Sequence, residues 1–311
     1  MKKIFPQTGI LWYDERRNRK EAFPRMELLF DLLRSVVYGV IEGITEWLPI
    51  SSTGHMILAE QVLKFSFDEE FMSMFRVVIQ LGAILAVVVL YFKKLWPFCA
   101  DNGRDSGFSK HLRWPVIRLW LKIIVACLPA AVLGFLLDDW LDAHLYNSIV
   151  VAIMLIVYGL AFILIERRPR VPSTTKLSRI TYKQALIVGA WQVLAMIPGT
   201  SRSGATIVGG LLCGMSRPCA SQFTFFLAIP VMAGASGLKV VKYLAGGSTF
   251  TLEEVLALAV GCLVAFLVSM AAIRFLMSYV KKHTFTAFGW YRIALGLVVL
   301  GIWIAQVAAA A

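Results

Sequence analysis

Long apolar runs separated by short polar breaks dominate the chain, at roughly residues 28–48, 55–65, 71–92, 116–137, 147–165, 183–197, 204–215, 219–244, 255–276 and 287–308. A helix needs about 20 apolar residues to cross a hydrocarbon core. Runs 71–92, 116–137, 147–165, 219–244, 255–276 and 287–308 meet that length and predict full crossings. Runs 55–65, 183–197 and 204–215 are too short. Run 28–48 is long enough, but it carries Glu42 and Glu46 and stops at Pro49, so it too predicts a partial crossing. Every backbone polar group inside a bilayer must be bonded internally, which makes these runs helices. The short alternating segments of a transmembrane barrel do not occur.

The polar breaks set an orientation. Stretches 93–118, 166–183 and 274–283 are basic, whereas the intervening breaks carry Asp68, Glu69 and Glu70, then Asp138, Asp139 and Asp142, then Glu253 and Glu254. Cytoplasmic loops carry the excess of Lys and Arg. With the basic loops inside, hairpin 28–65 opens to the periplasm and hairpin 183–215 to the cytoplasm. Lys239, Lys242 and the basic tail 1–25 run against this rule. The tail clusters Arg16, Arg17, Arg19 and Lys20 and lacks the apolar stretch of about 7–15 residues that marks a signal peptide.

A repeat emerges from the same layout. Halves 28–165 and 183–308 each read as a broken helical hairpin followed by three crossings, within one membrane domain over 26–311. An odd number of crossings inverts the second copy. The fold class expected is therefore an all-α polytopic membrane protein built as an inverted repeat, each half a re-entrant hairpin plus three transmembrane helices. Such architectures hold their polar site near the midplane, where the broken helices meet.

Composition sharpens this picture only in places. Of 311 residues 59% are hydrophobic and 16% charged, against about 25% charged in soluble domains. The net charge of +12 sits in loops between apolar runs, not along a groove-lining face, so nucleic acid is not expected as a partner. Cys99, Cys127, Cys213, Cys219 and Cys262 show no C-x-x-C spacing and read as apolar fillers.

The chemistry concentrates at the two bends. Glu42 and Glu46 are four apart and share a helix face. Carboxylates this close at membrane depth repel, which raises one pKa or recruits a divalent cation. After Pro49, Ser51, Ser52, Thr53, Gly54 and His55 open the next helix. Free N–H groups at a helix start, with hydroxyls and a glycine, form an anion pocket, although one hydroxyl could simply be an N-cap. Ser52 or His55 could attack phosphorus, with a carboxylate taking the proton. Pro198, Gly199, Thr200, Ser201, Arg202, Ser203 and Gly204 repeat the pocket and add a guanidinium. Arg binds phosphate bidentately and keeps its charge, so Arg202 points to a phosphate or to an ion pair with Glu42 or Glu46. Gln80 and Gln192 are expected to bond across helices. Tyr291 and Arg292 read as interfacial anchors, and His111, His144 and His283 as solvated loop residues.

The stretches E-G-I-T-E-W-L-P-I-S-S-T-G-H at 42–55 and P-G-T-S-R-S-G-A-T at 198–206 resemble the two signature motifs of the undecaprenyl-pyrophosphate phosphatase family, bacitracin-resistance type. The resemblance runs from about residue 30 to about 308 and includes V-I-Q-L-G-A-I-L-A-V-V-V at 78–89. It implies hydrolysis of the C55 polyprenyl pyrophosphate to the monophosphate and inorganic phosphate. That reaction recycles the carrier lipid for peptidoglycan synthesis. The resemblance also implies a bacterial inner-membrane location, a periplasmic active site and a divalent cation, Mg2+ or Ca2+. By position, Glu42 and Glu46 match the family's acidic, metal-binding pair, Ser52 and His55 its hydroxyl and imidazole, and Arg202 its phosphate-binding arginine. The implied partners are the lipid substrate and the bilayer, and a homodimer is allowed.

The rival class is a transporter or lipid flippase, which also uses inverted repeats and broken helices. Passage alone requires no cluster of Ser52, His55, Glu42 and Glu46. A histidine-dependent lipid phosphatase of S-R-x-x-x-x-x-H type is excluded, because Val208 stands at the histidine position.

Overall fold

A computed structural model describes residues 24–100, 103, 107–145, 147–167 and 171–310. Of the tail expected over 1–25, residues 1–23 lie outside this set. The described chain is helical, with two isolated β-bridges. The first half comprises α1 (Pro24–Thr45), α2 (Ser52–Val62), α3 (Glu69–Leu90), α4 (Trp114–Leu145) and α5 (Ser148–Glu166). The second comprises α6 (Tyr182–Val193), α7 (Arg202–Leu212), α8 (Arg217–Ala245), α9 (Leu252–Tyr279) and α10 (Thr286–Ala310). Among the described residues six helices are long and apolar enough to cross a membrane, and they lie in α3, α4, α5, α8, α9 and α10. These are the six runs that length singled out in the sequence.

Large apolar side chains face outward along them. Leu136, Leu263 and Trp290 are each more than half exposed. An apolar surface this extensive is a cost in water and none in lipid. The chain is a multi-pass membrane protein.

The helix pairs follow a single scheme. The most extensive contacts join α5 to α10 and α1 to α9, followed by α4 to α6 and α3 to α9. Exchanging the two five-helix sets maps α1–α9 onto α6–α4, α3–α9 onto α8–α4, and α2–α10 onto α7–α5, and each of these pairs is in contact. The pairs α5–α10 and α3–α8 map onto themselves.

Small residues permit the close crossings. A Cβ on Gly159 of α5 would lie 2.7 Å from the Gly289 carbonyl of α10, and one on Gly289 would lie 2.7 Å from the Gly159 carbonyl. On α1, a Cβ at Gly39 would meet the Gly261 carbonyl at 2.7 Å, and one at Gly43 the Ala265 carbonyl at 2.9 Å. The Gly39–Gly43 spacing thus seats α1 on the small-residue stripe of α9, which holds Glu42 in the interior at the end of the helix.

Candidate active site

Both hairpins bend in the same way. After α1, residues 46–50 form a turn, and Ser51 caps α2 through its Oγ, which accepts from Gly54 N at 3.4 Å. After α6 and a short 3-10 turn over Leu194–Met196, Ser201 caps α7 through its Oγ, which accepts from Gly204 N at 3.2 Å. Among the described residues the non-glycine positions with positive φ are these two serines, Ser51 at 74° and Ser201 at 70°. Such a backbone costs about 1–3 kcal/mol at a residue with a Cβ. Its recurrence at matching positions ties the two bends together more firmly than their sequences do.

The bends meet. Arg202 Nη2 donates to Glu46 Oε1 at 2.7 Å, across 156 residues of sequence, and Nη1 donates to the Thr224 carbonyl at 2.8 Å. Ser52 Oγ donates to the other oxygen, Glu46 Oε2, at 3.2 Å. Ser203 Oγ donates to the Leu48 carbonyl at 3.4 Å. One carboxylate therefore links the hydroxyl of the first turn to the guanidinium of the second. The side chains of Glu46 and Arg202 are only 7% and 12% exposed. At such depth desolvation offsets most of the attraction, so an apolar pair would stabilise the fold as well. Stability alone does not account for the pair.

Glu42 lies one turn earlier, 1% exposed, with its carboxylate interacting with that of Glu46. Its Oε1, the Nε of Arg202 and the Oγ1 of Thr200 are buried and make no hydrogen bond. A buried polar atom left unpaired costs about 1–3 kcal/mol, so these atoms suit a polar ligand. The orphaned Glu42 oxygen beside Glu46 fits a divalent cation in particular, since hard cations take carboxylate oxygens.

Two sequence expectations are corrected here. Arg292 is no interfacial anchor but wholly buried. Its Nη1 donates to the Pro49 carbonyl at 3.1 Å and its Nη2 to the carbonyls of Gly199 and Thr200, both at 2.9 Å. Longer bonds at 3.4 Å reach Met154 and Leu155 on α5. A guanidinium can be buried here because backbone dipoles at both bends solvate it. An ionisable residue inside an apolar span is a signal that would have flagged it. Gln192 is 2% exposed, yet neither end of its amide is bonded, so it makes no link across helices.

His55 stands apart from the Glu46–Arg202–Ser52 cluster. Its Nδ1 lies 2.7 Å from the Ser51 carbonyl and its Nε2 2.7 Å from the Tyr291 hydroxyl. A carbonyl can only accept, so Nδ1 carries the proton, and in the neutral ring Nε2 accepts from Tyr291. Both nitrogens are thus occupied. Thr53 is half-buried, and Thr200 and Gly54 are buried within the turns.

A family model described as Bacitracin resistance protein BacA matches residues 35–298. The chain belongs to this family. Among curated relatives, an undecaprenyl-diphosphatase of Enterococcus faecalis (strain ATCC 700802 / V583) is 57% identical over 279 residues, covering 89% of this chain and 99% of the relative. One of Streptococcus thermophilus (strain ATCC BAA-250 / LMG 18311) is 55% identical over 276 residues, covering 88% and 94%. One of Lactococcus lactis subsp. cremoris (strain SK11) is 55% identical over 277 residues, covering 87% and 96%. The matched BacA region contains both bends and every helix from α2 to α9.

Proposed function

We propose that this protein is an undecaprenyl-diphosphatase. It hydrolyses undecaprenyl pyrophosphate to undecaprenyl phosphate and inorganic phosphate, returning the lipid carrier to peptidoglycan synthesis and conferring bacitracin resistance. The carrying observation is the Glu46 carboxylate, held between the Ser52 hydroxyl at 3.2 Å and the Arg202 guanidinium at 2.7 Å.

In this mechanism the prenyl tail stays in the bilayer and the pyrophosphate reaches the two bends. Arg202 exchanges Glu46 for the phosphate oxygens, which frees Glu46 Oε1 and neutralises charge that builds on phosphoryl transfer. Ser52 Oγ then attacks the terminal phosphorus while its proton passes to Glu46. The new Oγ–P bond forms as the bridging P–O bond breaks, and undecaprenyl phosphate leaves. Water next attacks the phosphoserine, inorganic phosphate departs, and Ser52 recovers its proton. Ser52 is favoured over His55 because its hydroxyl already donates to a base, whereas the imidazole is engaged by Ser51 and Tyr291. Glu42 and Glu46 would hold a divalent cation, Mg2+ or Ca2+, which when bound offsets the charge of the pyrophosphate. N–H groups at the starts of α2 and α7, with Ser51, Thr53, Gly54, Thr200, Ser201, Ser203 and Gly204, line the phosphate pocket.

The same reading takes the two five-helix sets as an inverted repeat whose hairpins are re-entrant. The exchange symmetry of the helix contacts and the matching serine caps support it. With basic loops inside, the protein sits in the bacterial inner membrane with Glu46 reached from the periplasm.

The test is phosphate release by purified protein in detergent, with long and short prenyl pyrophosphates, with and without a chelator. Detergent abolishes any gradient, so release there separates a phosphatase from a transporter or flippase. Lipid movement in liposomes with no release in detergent would sink the proposal.

A further inference from the structure

A second cavity of about 390 Å³ lies outside the carboxylate–arginine site and shares no residue with it. It opens where the basic breaks converge, between the start of α4, the loop before α6 and the start of α8. Lys94, Arg113, Lys122 and Lys176 line it, and among the described residues no acidic side chain does. Among the described residues none of the four pairs with a carboxylate.

Lys122 separates this cavity from an ordinary cytoplasmic fringe of positive charge. It sits about 12 Å along α4 from Trp114, inside a candidate span, and it is 8% exposed. Its Nζ reaches one carbonyl, that of Ser178, at 3.4 Å, and lies 5.9 Å from the centre of the Tyr182 ring. A cation carried that deep is costly unless it meets an anion, and one long bond to a carbonyl leaves most of its donor capacity unused. Arg113 is preset from the other wall: its Nη1 donates to the carbonyls of Lys93 and Trp96 at 2.5 and 3.2 Å, which fixes its planar fork. Gln222 adds a neutral donor, and Val116 and Leu119 give the floor an apolar character. Convergent cations over an apolar floor at the basic side of a membrane suit an anionic headgroup with its chains in the lipid.

We propose that this cavity is a phosphate-binding site, filled by the headgroup of an anionic phospholipid or by free inorganic phosphate. The test uses the full chain purified in detergent with phosphatidylcholine as the neutral baseline. Phosphatidylglycerol and inorganic phosphate are added in turn, and binding is read by thermal stability and by the mass of retained ligand. Saturable binding of phosphatidylglycerol alone identifies a lipid headgroup, and binding of inorganic phosphate as well identifies the free anion as sufficient.

In either case the double variant Lys94→Gln/Lys176→Gln, which alters exposed side chains, weakens binding about tenfold or more. Lys122→Met weakens it too, provided that variant still folds. The control Lys281→Gln/Lys282→Gln removes equal charge from another exposed basic loop and binds like the wild type. The proposal is overturned by any of three results: neither probe binds better than phosphatidylcholine, the double variant binds like the wild type, or the control loses as much affinity as the double variant.

Discussion

Glu46 receives two donors of different kinds, and their removal separates their roles. Arg202→Ala takes away the charge that meets the phosphate, and phosphate release should fall about 10²–10³-fold. Arg202→Lys should not restore it, because a lysine cannot offer the bidentate fork. Ser52→Ala should abolish release, while His55→Ala and Tyr291→Phe should leave measurable activity, since Tyr291 bonds to His55 and His55 to the Ser51 carbonyl. A phosphate-release assay on these five variants checks this, and an inactive His55→Ala beside an active Ser52→Ala would reverse the assignment. Arg292 makes a different prediction. It serves carbonyls at both bends and touches none of the reacting groups. Arg292→Lys leaves some of those carbonyls unpaired, at about 1–3 kcal/mol each. Thermal stability and release should therefore fall together, unlike Ser52→Ala, which should lose release and retain its melting temperature.

The bends themselves depend on caps and close crossings. Ser51 and Ser201 each combine a left-handed φ with a capping hydroxyl, so the two contributions can be separated by substitution. Ser201→Ala removes the cap and keeps the strained backbone, and should destabilise the protein by about 1 kcal/mol. Ser201→Gly removes the cap but relaxes the backbone, and should cost less. A melting temperature lower for the glycine variant than for the alanine variant would contradict this. Gly43 packs where a Cβ would come within 2.9 Å of the Ala265 carbonyl. Gly43→Leu must push α1 off α9, and with it move Glu42 and the turn that carries Glu46. Overpacking of this kind typically costs about 1–3 kcal/mol. Release should fall even though no polar group has changed.

For the whole molecule the decisive prediction concerns sidedness. In a background lacking the five native cysteines, a cysteine at Lys176 or Lys281 should react only with reagents reaching the cytoplasm, and one at Ser248 only with reagents outside. The opposite pattern would invert the scheme and place Glu46 on the wrong side for a periplasmic substrate. Much of this architecture was legible in the chain: the six helices long enough to cross and the two bends follow from apolar run length, proline and glycine, because a bilayer dictates helix length and forbids unpaired backbone. The pairing of Glu46 with Arg202 was readable only as an alternative, since a lone carboxylate and a lone arginine at depth each require some partner. Arg292 was misread as an anchor: its place inside an apolar run was a signal, but its partners are backbone carbonyls, which leave no mark on composition or spacing. The likeness of Ser51 to Ser201 was visible in part: both are serines three residues before a glycine in a hydroxyl-rich turn, but their shared left-handed φ appears only in the fold. Local pattern decides which segments are helices and where they break, since these are contests between neighbouring residues and the surrounding lipid. Which breaks face one another, and which buried charge answers which, depends on helices that meet across more than a hundred residues, and only their packing determines that.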